Sequence, residues 1–258
     1  AEWLKVLAKK QERSLFSAEF PLLLEESVEL TCYALQGRWY NNDETALLEA
    51  RALWFSAQTQ PDSCYPLFEA MFTRKVLGPE DVWQRLRLAL EAGDISAAKR
   101  IIQYLPAKEA PNPRLIKTIA DRPERYLSRP DYDLKTRAGR ELRLFALYRL
   151  ARNEPQQAAA YLKKLHDQLN EQERNYAWAE IAYNAAQKHD PDALSWYGEV
   201  PPDLLNMQQL AWKARAALMA QNWGAMLASV DALSPLERRE SNWRYWKARA
   251  LQALGKNI

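Results

Sequence analysis

The pentapeptide Trp212-Lys213-Ala214-Arg215-Ala216 recurs as Trp246-Lys247-Ala248-Arg249-Ala250, an offset of 246 − 212 = 34 residues. The same step taken backwards reaches Trp178 and then Leu144, so a large apolar residue holds one phase through four positions. A period of this length is that of an αα-hairpin, which cannot bury its apolar face alone and must stack on copies of itself. Chance recurrence in an alanine-rich chain does not account for a third tryptophan in register.

Composition agrees with a helical stack. In 258 residues there are 7 Gly, while Ala, Leu, Glu, Lys, Arg and Gln, the good helix formers, are abundant. The 14 Pro fall mostly between apolar-periodic runs, where breakers belong. The expected fold is all-α, a right-handed αα-superhelix (solenoid) of tetratricopeptide-like hairpins with a period of about 34 residues. Such a stack is not limited by the size of one core, so residues 1–258 read as a single α-solenoid.

Local signals place the helices. From 2 to 36 the apolar spacing of Trp3, Leu4 and Leu7, then Leu22, Leu23, Val28, Leu30 and Leu35, predicts two or three helices, with Gly37 as the stop. Asp43 is read as the cap of a helix through about Ser56, with Leu48 in the tryptophan position, and Pro61-Asp62 as the opening of another through about Lys75. In the next hairpin Trp83, Leu86 and Leu90 share a face, Gly93 ends the helix, and Asp94 caps a partner that runs to Pro106. Trp83 precedes Gly93 by 93 − 83 = 10 residues, as Trp212 precedes Asn222 by 222 − 212 = 10.

Register breaks over 106–132, where Pro106, Pro111, Pro113, Pro123 and Pro130 crowd together. Short helices near 113–121 and 123–128 and a change in the direction of the stack are expected there; no Gly/Ser-rich linker favours a domain boundary. From Asp133 onward helices are expected near 133–152, 155–169, 171–188, 190–198, 202–220, 222–232 and 235–254. Asn170 with Glu173 and Ser234 with Glu237 read as capping boxes, and Pro191 and Pro235 as first helical residues. By this template Ile258 falls halfway through a hairpin, and the chain is expected to be a fragment of a longer one.

The charge balance, 36 basic against 33 acidic residues, leaves a net +3 and no long basic patch, so no nucleic-acid partner is expected. The nearest candidate, Arg137, Arg140, Arg143 and Arg149, reads better as the solvated face of an amphipathic helix. No run of 18 apolar residues exists to span a membrane, and the first residues lack the pattern of a signal peptide, which leaves the compartment open. Cys32 and Cys64 are 64 − 32 = 32 residues apart, almost one repeat, and are either two buried thiols or a disulfide.

Little in the chain carries chemistry. His166 and His189 are isolated near helix ends, too sparse for a metal site or a nucleophilic triad, and no two glycines are close enough for a phosphate loop. Acidic pairs are numerous and read as solvated helix faces. No catalytic residue, metal ligand or cofactor is assigned. Of the 10 Trp and 12 Tyr, Trp83, Trp178, Trp212 and Trp246 are assigned to the core of the repeat. Trp39-Tyr40, Trp196-Tyr197 and Trp243 lie nearer turns, where exposed rings could stack on sugars, but glycan-binding residues stay unassigned.

Several segments together resemble a known family. Cys32-Tyr33-Ala34-Leu35, Pro61 to Phe68, Arg85 to Gly93 and Trp243 to Ala248 are similar, in order and rough spacing, to the U-shaped α-superhelical domain of the soluble lytic murein transglycosylases. The resemblance implies a Cys32–Cys64 disulfide and a periplasmic location. It also implies a parent enzyme whose C-terminal lysozyme-like domain cleaves peptidoglycan glycan strands to 1,6-anhydromuramyl ends, with one glutamate as acid and then base.

That domain's motifs are a Glu-Ser pair, Gly-Leu-Met-Gln and Ala-Tyr-Asn-Ala-Gly. Here Glu26-Ser27, Glu240-Ser241 and Ala182-Tyr183-Asn184-Ala185 copy parts of them, but Gly-Leu-Met-Gln is absent and Ala186 replaces the last glycine. Glu26 stands 184 − 26 = 158 residues before Asn184, and Glu240 follows it. No catalytic residue carries over. The expectation is a non-catalytic superhelical domain that positions or threads peptidoglycan for an active site elsewhere, with no bond cleavage by this chain. A scaffold binding protein partners in a concave groove is the alternative.

Overall fold

The structure, a computed structural model, describes residues 1–129 and 134–256. Pro130, Asp133 and Ile258, which figure in the expectations above, lie outside the described residues. Every regular element among those described is helical. The chain divides into two compact units, 1–113 and 114–258.

The first unit holds α1 (Glu2–Lys9), α2 (Arg13–Glu19), α3 (Val28–Tyr40), α4 (Thr45–Trp54), α5 (Tyr65–Thr73), α6 (Pro79–Glu91) and α7 (Ile95–Ile101). Leu4 and Leu7 of α1, Phe16 of α2 and Leu30 of α3 form one buried cluster. Gly37 does not stop α3, which runs on to Tyr40 and closes through Asn42 at φ 63°. Glycine ends a helix only where the backbone turns left-handed, and here asparagine, which tolerates that conformation, takes the role. Asp43 does accept from the Thr45 amide at 3.0 Å, but as a turn before α4. Asp62–Cys64 is a 3₁₀ turn that leads into α5. The hairpin of α6 and α7 is as read: Gly93 sits at φ 77° and Asp94 accepts from the Ala97 amide at 2.8 Å.

The second unit opens with α8 (Pro113–Asp121) and α9 (Pro123–Leu127), then α10 (Arg137–Ala151), α11 (Pro155–Leu165), α12 (Glu171–Gln187), α13 (Ala193–Tyr197), α14 (Met207–Met219), α15 (Trp223–Asp231) and α16 (Ser241–Ala253). From α10 onward each helix packs on the next, and α10 also packs on α12 and α12 on α14, the neighbour pattern of stacked hairpins. The Asn170–Glu173 capping box forms in both directions, at 2.8 and 2.9 Å.

Three helix starts differ from the sequence reading. The Ser234–Glu237 box closes a 3₁₀ turn, Glu237–Arg239, and α16 begins only at Ser241. Pro202–Leu204 is likewise a 3₁₀ turn, and α14 starts after an unforeseen box, Asn206 with Gln209. Asp190 bonds the Asp192 amide at 2.9 Å, so Pro191 precedes α13 instead of opening it.

The tryptophan register also drifts. Trp83 and Trp178 are buried, but Trp212 and Trp246 are only half-buried and Leu48 is 64% exposed. Trp83 and Trp178 stand 93 − 83 = 10 and 189 − 178 = 11 residues before the left-handed residue that closes their helix; Trp212 and Trp246 stand 221 − 212 = 9 and 255 − 246 = 9 before theirs. The two rings that stand nearest their closures are the two that are only half-buried. Trp243, expected near a turn, fills the core instead, and Arg215 lies between it and Trp212, at 4.9 and 5.0 Å from the two rings.

The arginines of α10 are neither a nucleic-acid patch nor a solvated face. Arg143 donates to the carbonyls of Tyr126, Leu127 and Arg129 at 3.3, 2.9 and 2.6 Å, and Arg149 to that of Ala120 at 3.0 Å. Arg140 bonds Glu173 at 2.8 Å, and Arg137 pairs with Glu141 at 3.5 Å. Short helices leave their last carbonyls without intrahelical partners. The α10 guanidiniums supply donors to those of α8 and α9.

Candidate functional site

The feature of the first unit best suited to recognition is built around the C-terminal turn of α3. Tyr33, Gln36 and Tyr40 recur at i, i+3 and i+7, which puts them on one helical face. That face is held from behind. Cys32 is bonded to Cys64 with their Cα atoms 5.0 Å apart, and both are fully buried. Gln36 Nε2 donates to the Ser63 carbonyl, and Ser63 Oγ donates to that of Glu29 at 3.2 Å. Arg38 pins the far end, bonding both carboxylate oxygens of Glu49 at 2.6 and 2.8 Å and Asp43 at 2.8 Å. These bonds hold the Glu49 carboxyl below its usual range and the Arg38 guanidinium above its own.

Two cavities adjoin at Tyr40. One, of about 330 Å³, is bordered by Lys9, Gln11, Arg13, Tyr33 and Gln36. The other, of about 280 Å³, is bordered by Trp39, Pro66, Glu69, Thr73 and Arg74. Tyr40 is 43% exposed, with its ring 4.9 Å from that of Trp39 and the Arg13 guanidinium 4.3 Å from its centroid. Burial, with Glu29 and Asp62 adding to it, pushes the Tyr33 phenol up, so it stays a neutral donor. Aromatic faces flanked by amide, hydroxyl, guanidinium and one carboxylate match a pyranose ring, which presents C–H faces and a rim of hydroxyls. The Lys9 and Arg13 side would take an acidic group.

The Glu2, Asp43, Glu49 and Asp94 carboxyls are each held below their ordinary range by hydrogen bonds, to Lys5, to Thr45 and Arg38, to Arg38, and to the Ala97 amide. Among the described residues no group of His, Cys, Asp and Glu could hold a metal ion. Ser27 caps α3 through the Leu30 amide at 3.4 Å, and Glu240 and Ser241 lie at the start of α16. Asn184 is buried in α12, donating to the Glu180 carbonyl at 2.8 Å. His166 is exposed at the end of α11, and His189 is a left-handed closure residue with Nδ1 3.2 Å from Met219 Sδ. Of the three aromatic candidates, Trp196-Tyr197 and Trp243 are buried, and Trp39-Tyr40 borders a cavity.

No family model matches the chain. It is 25% identical over 249 residues to the soluble lytic murein transglycosylase of Salmonella typhimurium, an alignment covering 94% of this chain and 38% of that protein. With the soluble lytic murein transglycosylase of Escherichia coli K12 it shares 24% over 252 residues, covering 93% and 37%. An inactive mutant of the lytic transglycosylase Slt from Pseudomonas aeruginosa matches all of this chain and 42% of its own, with a TM-score of 0.73 and 26% identity. The chain is homologous to the soluble lytic murein transglycosylases. It spans less than two fifths of the length of the curated transglycosylases it matches. No helix among the described residues is long and apolar enough to cross a membrane.

Proposed function

We propose that this chain is the αα-superhelical, non-catalytic portion of a periplasmic soluble lytic transglycosylase, and that it positions or threads peptidoglycan for an active site carried elsewhere in the enzyme. The observation that carries the reading is the homology, which takes in almost all of this chain and less than two fifths of each relative. The disulfide supports an oxidising compartment such as the periplasm. The Trp39-Tyr40 site is where a glycan strand is proposed to rest, with a pyranose face on the rings and an acidic stem-peptide group toward Lys9 and Arg13.

Two measurements test this. Incubated with purified murein, the chain should release no 1,6-anhydromuropeptides; catalytic turnover sinks the non-catalytic reading. In sedimentation with insoluble peptidoglycan the wild-type chain should be retained and a Trp39→Ala/Tyr40→Ala variant should not. Equal retention of the two would remove the aromatic site from the proposal, and no retention of either would favour a protein-binding scaffold.

A further inference from the structure

Arg85 of α6 lies outside the aromatic site, deep in the first unit, and is 3% exposed. Its guanidinium carbon is 4.4 Å from the ring centroid of Trp54 and 5.0 Å from that of Phe68. Trp54 in turn meets Phe68, Phe72 and Tyr104 edge-on, each at 5.1 Å. The ring faces compensate the buried cation in part. No carboxylate among the described residues pairs with it, and its Nε has no hydrogen-bond partner. A buried charge is ordinarily neutralised by a counter-charge or satisfied by hydrogen bonds.

A cavity of about 10 Å³ borders this guanidinium, and Arg100, Tyr65, Tyr104 and Thr59 share its wall with apolar groups of α7. Arg100 Nη1 donates to the Tyr65 hydroxyl at 3.1 Å, which leaves the phenol's own hydrogen to be given elsewhere. Burial pushes the Tyr104 phenol up to about 12, keeping it protonated. Three carboxylates lie nearby without lining the cavity: Asp62 is 3.7 Å from Arg100, Asp94 accepts from Thr59 at 3.2 Å, and the charge of Glu69 adds to the upward push on Tyr104. The wall is thus rich in donors and in positive charge. A water of that size would accept from several groups and find few to donate to.

We propose that this cavity binds one small monovalent anion, of halide size, between Arg85 and Arg100, with the Tyr65 hydroxyl as a neutral donor. The ion would join α5, α6 and α7 through a single charge. Two guanidiniums select for an anion, and the cavity has room for about one small ion.

Crystals of the chain soaked in bromide should show an anomalous peak in this cavity. Melting of the full chain should rise by about 3 °C or more as chloride replaces gluconate from about 10 mM to about 1 M at constant ionic strength. Tyr65→Phe should move the chloride midpoint upward about tenfold, the loss expected for one hydrogen bond to a charged group, and Arg85→Met should abolish the dependence. Water in place of bromide in the map, or a wild-type Tm indifferent to halide, overturns the proposal. If Arg85→Met does not fold, the bromide map and Tyr65→Phe still decide.

Discussion

Arg85 and Arg143 are buried to the same extent, each 3% exposed, and both lie over aromatic rings, yet they differ in what their Nη groups meet. Arg143 reaches three backbone carbonyls at the end of α9 and lies 5.1 Å from the Tyr126 ring. Arg85 meets the rings of Trp54 and Phe68 and borders a cavity. The difference follows from what each arginine packs against. A five-residue helix such as α9 spends most of its length as termini, so carbonyls are available to a guanidinium. Between α4, α5 and α6 the carbonyls are committed to their own helices, and only π-faces remain. In this fold, irregular backbone decides where a buried charge can be satisfied by the chain itself.

The contrast is broken most sharply at Arg143. Arg143→Met removes a donor shared by three carbonyls and should cost about 4 kcal/mol in urea unfolding, from unsatisfied buried acceptors. A loss below about 1 kcal/mol would mean that water replaces the guanidinium and the staple is ornamental. Next in size is the disulfide, which closes a 32-residue separation in the first unit. The only two cysteines of the chain lie there, so the second unit has no counterpart. Cys32→Ala/Cys64→Ala should cost about 3 kcal/mol by loop-closure entropy. Hydrogen exchange should quicken in 1–113 and stay unchanged in 114–258; equal acceleration in both would contradict the division into units.

Arg85→Met, measured without halide, belongs lower on the scale, at about 1 kcal/mol or less, because an apolar isostere suits an aromatic box. A cost equal to that of Arg143→Met would erase the contrast between the two arginines.

These two sites also show where sequence is legible. The α6–α7 hairpin could be read closely, because Pro79, Gly93 and Asp94 set its ends through local backbone preferences. The helices of 113–121 and 123–127 were signalled by their prolines in the same way. The depth of each tryptophan was not, since it depends on how many residues separate the ring from its helix closure, and that number varies between repeats. The α10 arginines were misjudged because the partners of Arg143 are main-chain carbonyls 14 to 17 residues upstream, which carry no residue signature. The aromatic site was half visible. Tyr33, Gln36 and Tyr40 share a face by spacing, but Arg13 reaches Tyr40 from 40 − 13 = 27 residues away through the packing of α2 on α3.

The smallest expected effect lies beside the Arg85 cavity and concerns how charge is held at a helix start. Asp94 caps α7 through the Ala97 amide and also accepts from the Thr59 amide and hydroxyl, at 3.3 and 3.2 Å. The Ala97 amide bond, ahead of the Thr59 hydroxyl and amide bonds, holds its carboxyl below the ordinary 3.8. A depressed carboxyl contributes stability that is complete above its unfolded value and is lost as pH falls through the folded one. Asparagine caps a helix almost as well but carries no charge. Asp94→Asn should therefore cost about 0.5 kcal/mol at pH 6, a value reduced by solvent screening, and nothing measurable near pH 2. Urea unfolding of both proteins at the two pH values gives the difference directly. A gap that does not change with pH would mean that geometry alone sets this cap, and that the first unit, like the second, relies on backbone bonds more than on charge at its helix ends.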